Sequence, residues 1–173
     1  MKKLLILSLV IAITGCAGAQ YTVKDPTDKA AVASKIYEVK SEFGEHKIYG
    51  PVIKGEFGGL LHNDKILLQL MKTENNNYYL RVHNLHSQRG WKFIQSITTL
   101  EKQTVELQEL SRETLMCMSS GCSFIEIGFA PLQKHQHLSG NKDLKVRINA
   151  KRWGTQVMTV PKQYIQAFMA KAG

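Results

Sequence analysis

Leu144-Lys145-Val146-Arg147-Ile148-Asn149-Ala150-Lys151 alternates apolar and polar residues without a break. A strand sends successive side chains to opposite faces, so Leu144, Val146 and Ile148 form an apolar face and Lys145, Arg147 and Asn149 a polar one. The segment is predicted as a half-buried β-strand. Trp153-Gly154 then turns the chain, and Gln156 to Val160 returns as a second strand. Pro161 stands where a helix takes its first residue. Tyr164, Ile165, Phe168 and Met169 follow at helical spacing, which predicts a short amphipathic helix at the C-terminus.

The same reading extends toward the N-terminus. Asp25-Pro26 breaks any regular element, and Thr27 or Asp28 can cap a short helix from Lys29 to about Ile36. A strand through Ile36, Tyr37 and Val39 competes with the end of that helix. His46 to Ile53 reads as a strand that ends or bulges at Gly50-Pro51. Gly55 to Gly59 reads as loop, and Ile66 to Lys72 as a buried strand. Glu74-Asn75-Asn76-Asn77 is a turn into Tyr78-Tyr79-Leu80-Arg81-Val82-His83, with Tyr78, Leu80 and Val82 inward and Arg81 and His83 outward. Further strands are expected from Trp91 to Ile97, from Thr104 to Leu110, from Glu113 to Cys117 and from Ser123 to Phe129. In the last, Ile125, Ile127 and Phe129 share one face. Seven to nine short strands suit an antiparallel β-sandwich or a partly open barrel, closed by the C-terminal helix.

The first residues carry a different signal. Lys2 and Lys3 precede an apolar run from Leu4 to Ile13, then Thr14-Gly15-Cys16. A basic start, a short apolar stretch and small residues make an export signal too short to span a bilayer as a mature helix. Ile13-Thr14-Gly15-Cys16 resembles the lipobox of bacterial lipoproteins. That resemblance implies cleavage before Cys16 and a diacylglycerol on its thiol; Ala17-Gly18-Ala19 offers an ordinary secretory cleavage site as the alternative. By the same resemblance, Ala17 in place of Asp implies the outer membrane of a Gram-negative host, with the domain facing the periplasm. The chain then divides into a signal peptide (1–15), a lipidated cysteine and tether (16–27) and one β-rich domain (28–173). The layout of strand, cysteine pair, strands and helix resembles small β-rich envelope lipoproteins of proteobacteria. It lacks features expected of lysozyme-inhibitor lipoproteins, so that activity is not carried over.

The formal charge is +9, and loss of Lys2 and Lys3 with the signal leaves +7. An exported chain rarely meets nucleic acid. The anions within its reach are phospholipid headgroups, lipopolysaccharide phosphates and peptidoglycan carboxylates. Scattered charge is usually a solvated face, the alternative here. Cys117 and Cys122 remain once Cys16 is spent on lipid, and an even pair in an oxidising compartment reads as a disulfide. A redox pair or half a metal site fits less well, because four residues separate the cysteines and no His lies nearby in sequence.

Six histidines invite a metal reading. His135 with His137 and His83 with His86 are its candidates, set against ordinary surface polarity; no metal or cofactor is expected. No catalytic motif stands out. Glu126, flanked by Ile125 and Ile127, is either an exposed strand residue or a semi-buried carboxylate with a cationic partner; a raised pKa would make it an acid. Trp91 starts a strand and is expected in the core. Trp153, beside Lys151 and Arg152, is a better candidate than Trp91 for an exposed aromatic in a binding surface, with core packing the favoured alternative. With Lys145 and Arg147, those residues define the expected binding face. The reading is a non-enzymatic, membrane-anchored binding or assembly module for an envelope protein or anionic envelope component. A periplasmic metal binder, and a hydrolase or hydrolase inhibitor, are the alternatives.

Overall fold

The structure is a computed structural model that describes residues 21–173 apart from 43, 58–63, 89, 120 and 153. The chain first forms helix α1 (Lys29–Ser34), where the Asp28 carboxylate accepts hydrogen bonds from the N–H groups of Ala30 and Ala31 at 2.9 and 3.1 Å. Such a side-chain cap satisfies donors that the first turn leaves open. Strands β1 (Tyr37–Lys40), β2 (His46–Tyr49), β3 (Ile53–Phe57), β4 (Asp64–Thr73) and β5 (Tyr78–Gln88) follow. Next come β6 (Ile94–Thr99), β7 (Thr104–Glu106), β8 (Gln108–Met118) and β9 (Gly121–Leu132). A one-turn helix α2 (Lys134–His137), strands β10 (Leu144–Ala150) and β11 (Thr155–Val160), and helix α3 (Lys162–Ala172) complete it.

The strands form two antiparallel sheets. One has the order β1-β2-β4-β5-β9-β8, with β3 also paired to β4. It curls into an open half-barrel. The other has four strands in the order β11-β10-β6-β7. The mainly β architecture with a C-terminal helix is therefore the one the sequence predicts.

Alternation decides what is buried. Leu68, Leu70, Leu80, Val82 and Ala130 of the large sheet meet Ile97, Val146, Ile148 and Val160 of the small one in a single core. Helix α3 adds Tyr164, Ile165 and Phe168. The Tyr164 hydroxyl donates to the Pro51 carbonyl at 2.6 Å and accepts from the Leu70 N–H. Gly50 makes room for it, because a Cβ there would stand 2.3 Å from the phenolic oxygen. The chain is held from Tyr21 onward: the Val52 N–H donates to the Tyr21 carbonyl and Val23 is buried. Residues 21–23 of the expected tether are thus already packed.

Several sequence expectations need correction. The helix and strand that competed near Ile36 both exist, one after the other. The strand from His46 does end at Gly50-Pro51, as expected; Ile53 instead opens a new strand, and β2 and β3 line up along one edge of β4. Residues 55–57, read as loop, belong to β3, because their partners on β4 continue to Asp64. Thr104 to Leu110 is not one strand. β7 pairs with β6 in the small sheet, and β8 pairs with β9 in the large one, so the chain changes sheets at Leu107. Gly128 permits that crossing, since a Cβ would meet the Leu107 side chain at 3.2 Å. The strand expected from Trp91 starts at Ile94; Trp91 is half-buried, its ring tilted against Phe124 at 4.7 Å. Pro161 caps α3 from just outside the helix.

Cys117 and Cys122 are direct cross-strand partners in the β8–β9 hairpin, with their sulfurs at disulfide-bond distance, 2.05 Å. The pair clips the tip of two strands, as the sequence spacing suggests.

The burial pattern of β10 alternates strictly from Leu144 to Ile148. Val146→Asp or Ile148→Asp should therefore abolish the folded state, because an unpaired carboxylate in an apolar core costs several kcal/mol. Lys145→Asp and Arg147→Asp should change stability by about 0.5 kcal/mol or less. Thermal melts of the four variants check this, and equal effects in all four would contradict the strand assignment.

Candidate functional site

Glu126 sits on the core face of β9 and is 1% exposed. Its environment is built by the segment before β6. Phe93 adopts a left-handed backbone with φ 57°, and the N–H groups of Lys92, Phe93 and Ile94 converge on the carboxylate at 2.7, 3.1 and 3.0 Å. Successive amides turned to one side form an anion-binding nest. Here the protein supplies its own anion. His86 Nε2 lies 3.2 Å from Glu126 Oε1, and Arg112 Nε 3.5 Å from Oε2. Burial pushes the Glu126 carboxyl up, but the His86 contact and the three backbone donors outweigh it and hold it below the usual range. An acid catalyst needs a raised pKa and access to substrate. Glu126 is thus not an exposed strand residue but a buried carboxylate with a cationic partner, Arg112, and its carboxyl lies below rather than above the usual range.

The histidine pairs do not assemble into a site. His83 and His86 lie three residues apart on one strand and face opposite sides of it. His86 stacks on Phe124 at 5.3 Å beside Glu126. His135 and His137 would share a face only in an extended segment, and the segment is helix α2. His135 is exposed, whereas His137 is buried, with Nδ1 accepting from the Gln133 N–H and Nε2 donating to Gln103 Oε1. Burial lowers the His137 pKa. Among the described residues, no three His, Cys, Asp or Glu side chains are grouped to hold a metal ion.

The polar face of β10 is the better candidate. Lys145 lies opposite Thr159, and Arg147 lies between Val157 of β11 and Thr98 of β6. The Asn149 amide donates to the Ser96 and Thr98 hydroxyls at 3.0 and 2.8 Å, which fixes this face of the sheet. The tight turn from Thr99 to Gln103 brings in Lys102, itself left-handed at φ 62°. Thr98, Leu100, Lys102, Lys145, Arg147 and Val157 surround a shallow depression of ≈ 240 Å³. Among the described residues, neither Lys102, Lys145 nor Arg147 forms an ion pair. Leu100 and Val157 are 64% and 46% exposed beside them. Cations without counter-ions next to exposed apolar side chains form a surface for an anionic, partly apolar ligand.

The other sequence candidates fall at its margin or outside it. Lys151 and Arg152 are exposed at the end of β10, with their N–H groups donating to the carbonyls of Phe93 and Lys92. The Arg152 guanidinium also covers the Phe93 ring at 5.6 Å. Trp153 and Cys16 lie outside the described residues. Sequence reasoning found Lys145 and Arg147 but missed Lys102, Leu100 and Thr98, which only strand pairing brings to them. No protein-family model, no curated protein and no solved structure matches this chain.

The Glu126 geometry generates a pH dependence. Its folded-state pKa lies below the unfolded value of about 4.3, so the unfolded chain takes up the proton first. The stability that Glu126 contributes is complete above that value and is lost as pH falls through the folded pKa. Glu126→Gln should lower stability at pH 7 by about 3 kcal/mol, because an amide nitrogen then opposes a buried N–H donor. The variant should also lose part of the acid limb of the stability curve. Denaturant titrations of both proteins between pH 3 and 7 check the magnitude and the sign.

Proposed function

We propose that this protein is a lipid-anchored envelope module, non-enzymatic, that applies the cationic face of its small sheet to an anionic envelope surface. The observation that carries the reading is the cluster of Lys102, Lys145 and Arg147, without ion-pair partners among the described residues, beside exposed Leu100 and Val157. The lipobox-like Ile13-Thr14-Gly15-Cys16 supports anchoring through Cys16. Two or three acyl chains make such anchoring stable where one would not. Only four residues, Ala17 to Gln20, separate Cys16 from Tyr21, whose carbonyl accepts from the Val52 N–H. Fully extended, the five residue steps from Cys16 to Tyr21 span about 18 Å at most. Ala17 after the lipidated cysteine supports the periplasmic face of the outer membrane as the location, and the short tether would hold the domain close to phosphate headgroups.

Two measurements test this proposal. Labelled palmitate should enter the wild type and be absent from Cys16→Ser; no label in the wild type would contradict anchoring. Unlipidated Cys16→Ser protein should sediment with vesicles containing phosphatidylglycerol and not with neutral vesicles, and less so as salt rises. Adding Lys145→Gln and Arg147→Gln should weaken this binding by about thirtyfold, since each cation near an anionic surface contributes about 1 kcal/mol. Equal binding to neutral vesicles would contradict the role of the cationic face.

A further inference from the structure

The face of the large sheet turned away from the core is not an ordinary solvated surface. Strand register places Leu67, His83 and Ile127 in one cross-strand row and Gln69, Arg81 and Phe129 in the next. Alternation assigns all six to the side opposite Leu68, Leu80 and Val82. Gln69 is nevertheless only 3% exposed, and the other five are half-buried. Tyr37 and Tyr49 stack at 5.2 Å beside this face, and the Tyr37 hydroxyl accepts from Gln69 Nε2 at 3.2 Å.

Arg81 lies at the centre of the array. Its guanidinium has one long hydrogen bond, to Gln69 Oε1 at 3.4 Å, and lies 5.8 Å from the centre of the Phe129 ring. Among the described residues its enclosed Nε has no hydrogen-bond partner, and neither has the enclosed Nε2 of neighbouring His83. Among the described residues no carboxylate pairs with Arg81. Burial and the Arg81 charge push His83 down to about 3, so its imidazole is neutral at physiological pH. A half-buried cation without a counter-ion is costly, and that cost falls once an anion is brought to it. Arg in a rigid fork matches carboxylate and phosphate oxygens through its terminal nitrogens, and neutral His83 adds no competing charge beside it. Leu67, Ile127 and Phe129 supply apolar contact on either side of these donors.

We propose that this face binds an anionic amphiphile: a carboxylate or phosphate head held by Arg81, with an apolar body laid along Leu67, Ile127 and Phe129. The site is separate from the cationic face of the small sheet and does not depend on the function proposed for that face.

The test is calorimetric titration of the full chain carrying Cys16→Ser with laurate and dodecyl phosphate, each below its micelle concentration. Inorganic phosphate and dodecyl maltoside serve as comparisons. Saturable one-to-one binding of laurate or dodecyl phosphate is expected, and the tighter of the two identifies the head group. Inorganic phosphate should bind at least tenfold more weakly for lack of the apolar body, and the neutral maltoside for lack of charge. Arg81→Met should reduce amphiphile binding at least tenfold while leaving the melting temperature unchanged or higher, because it removes an unpaired charge. Lys145→Gln with Arg147→Gln should leave this binding intact. No binding, equal binding of the maltoside, or an Arg81→Met variant that melts lower yet binds normally would overturn the proposal.

Discussion

The carboxylate of Glu126 joins the two sheets. It leaves β9 of the half-barrel and accepts the N–H groups of Lys92, Phe93 and Ile94, the residues that lead into the small sheet. A buried carboxylate is expensive unless its lone pairs are filled, and these are, with His86 and Arg112 completing the set. The same contact offsets the left-handed backbone of Phe93, an unfavourable conformation for a bulky residue. The half-buried Phe93 ring is covered by Arg112 at 4.8 Å and by Arg152 at 5.6 Å. Charge, backbone geometry and ring packing are therefore satisfied together at one junction.

Two close approaches complete the frame. Leu107 crosses Gly128 where the chain passes from the small sheet back to the large one, and Tyr164 of α3 enters over Gly50 where β2 gives way to β3. With the junction at Glu126, they position the small sheet so that Val146 and Ile148 face the core. Lys145 and Arg147 are presented outward as a consequence. The cationic face is thus the opposite side of the interaction that holds the sheets together.

Much of this was legible in the sequence, for physical reasons that differ by position. From Leu144 to Ile148 one face is dry and the other wet, so pattern and structure coincide. The cysteine hairpin was legible because a short loop allows few arrangements. Ser123 to Phe129 misled, since its apolar face of Ile125, Ile127 and Phe129 is half-buried while Phe124, Glu126 and Gly128 face the core. Hydrophobicity alone puts Glu126 outside. Only the nest at 92–94, remote in sequence, explains why it is inside. Arg81 and His83 were placed on the correct, outward face, but their half-burial was not legible, because Phe129, which covers Arg81, comes from another strand. Lys102 joins Lys145 and Arg147 through sheet pairing, which no local pattern carries.

Residue-resolved amide hydrogen exchange tests the central claim, that the Glu126 junction is part of the cooperative core. The amides of Lys92, Phe93 and Ile94 precede or open a strand, and without the carboxylate they would exchange as a loop does. The account predicts that they open only with the whole domain, with the same protection as the core amides of Val146 and Ile148. Exchange of these three amides near the rate of an unstructured peptide, while Val146 and Ile148 stay protected, would contradict it.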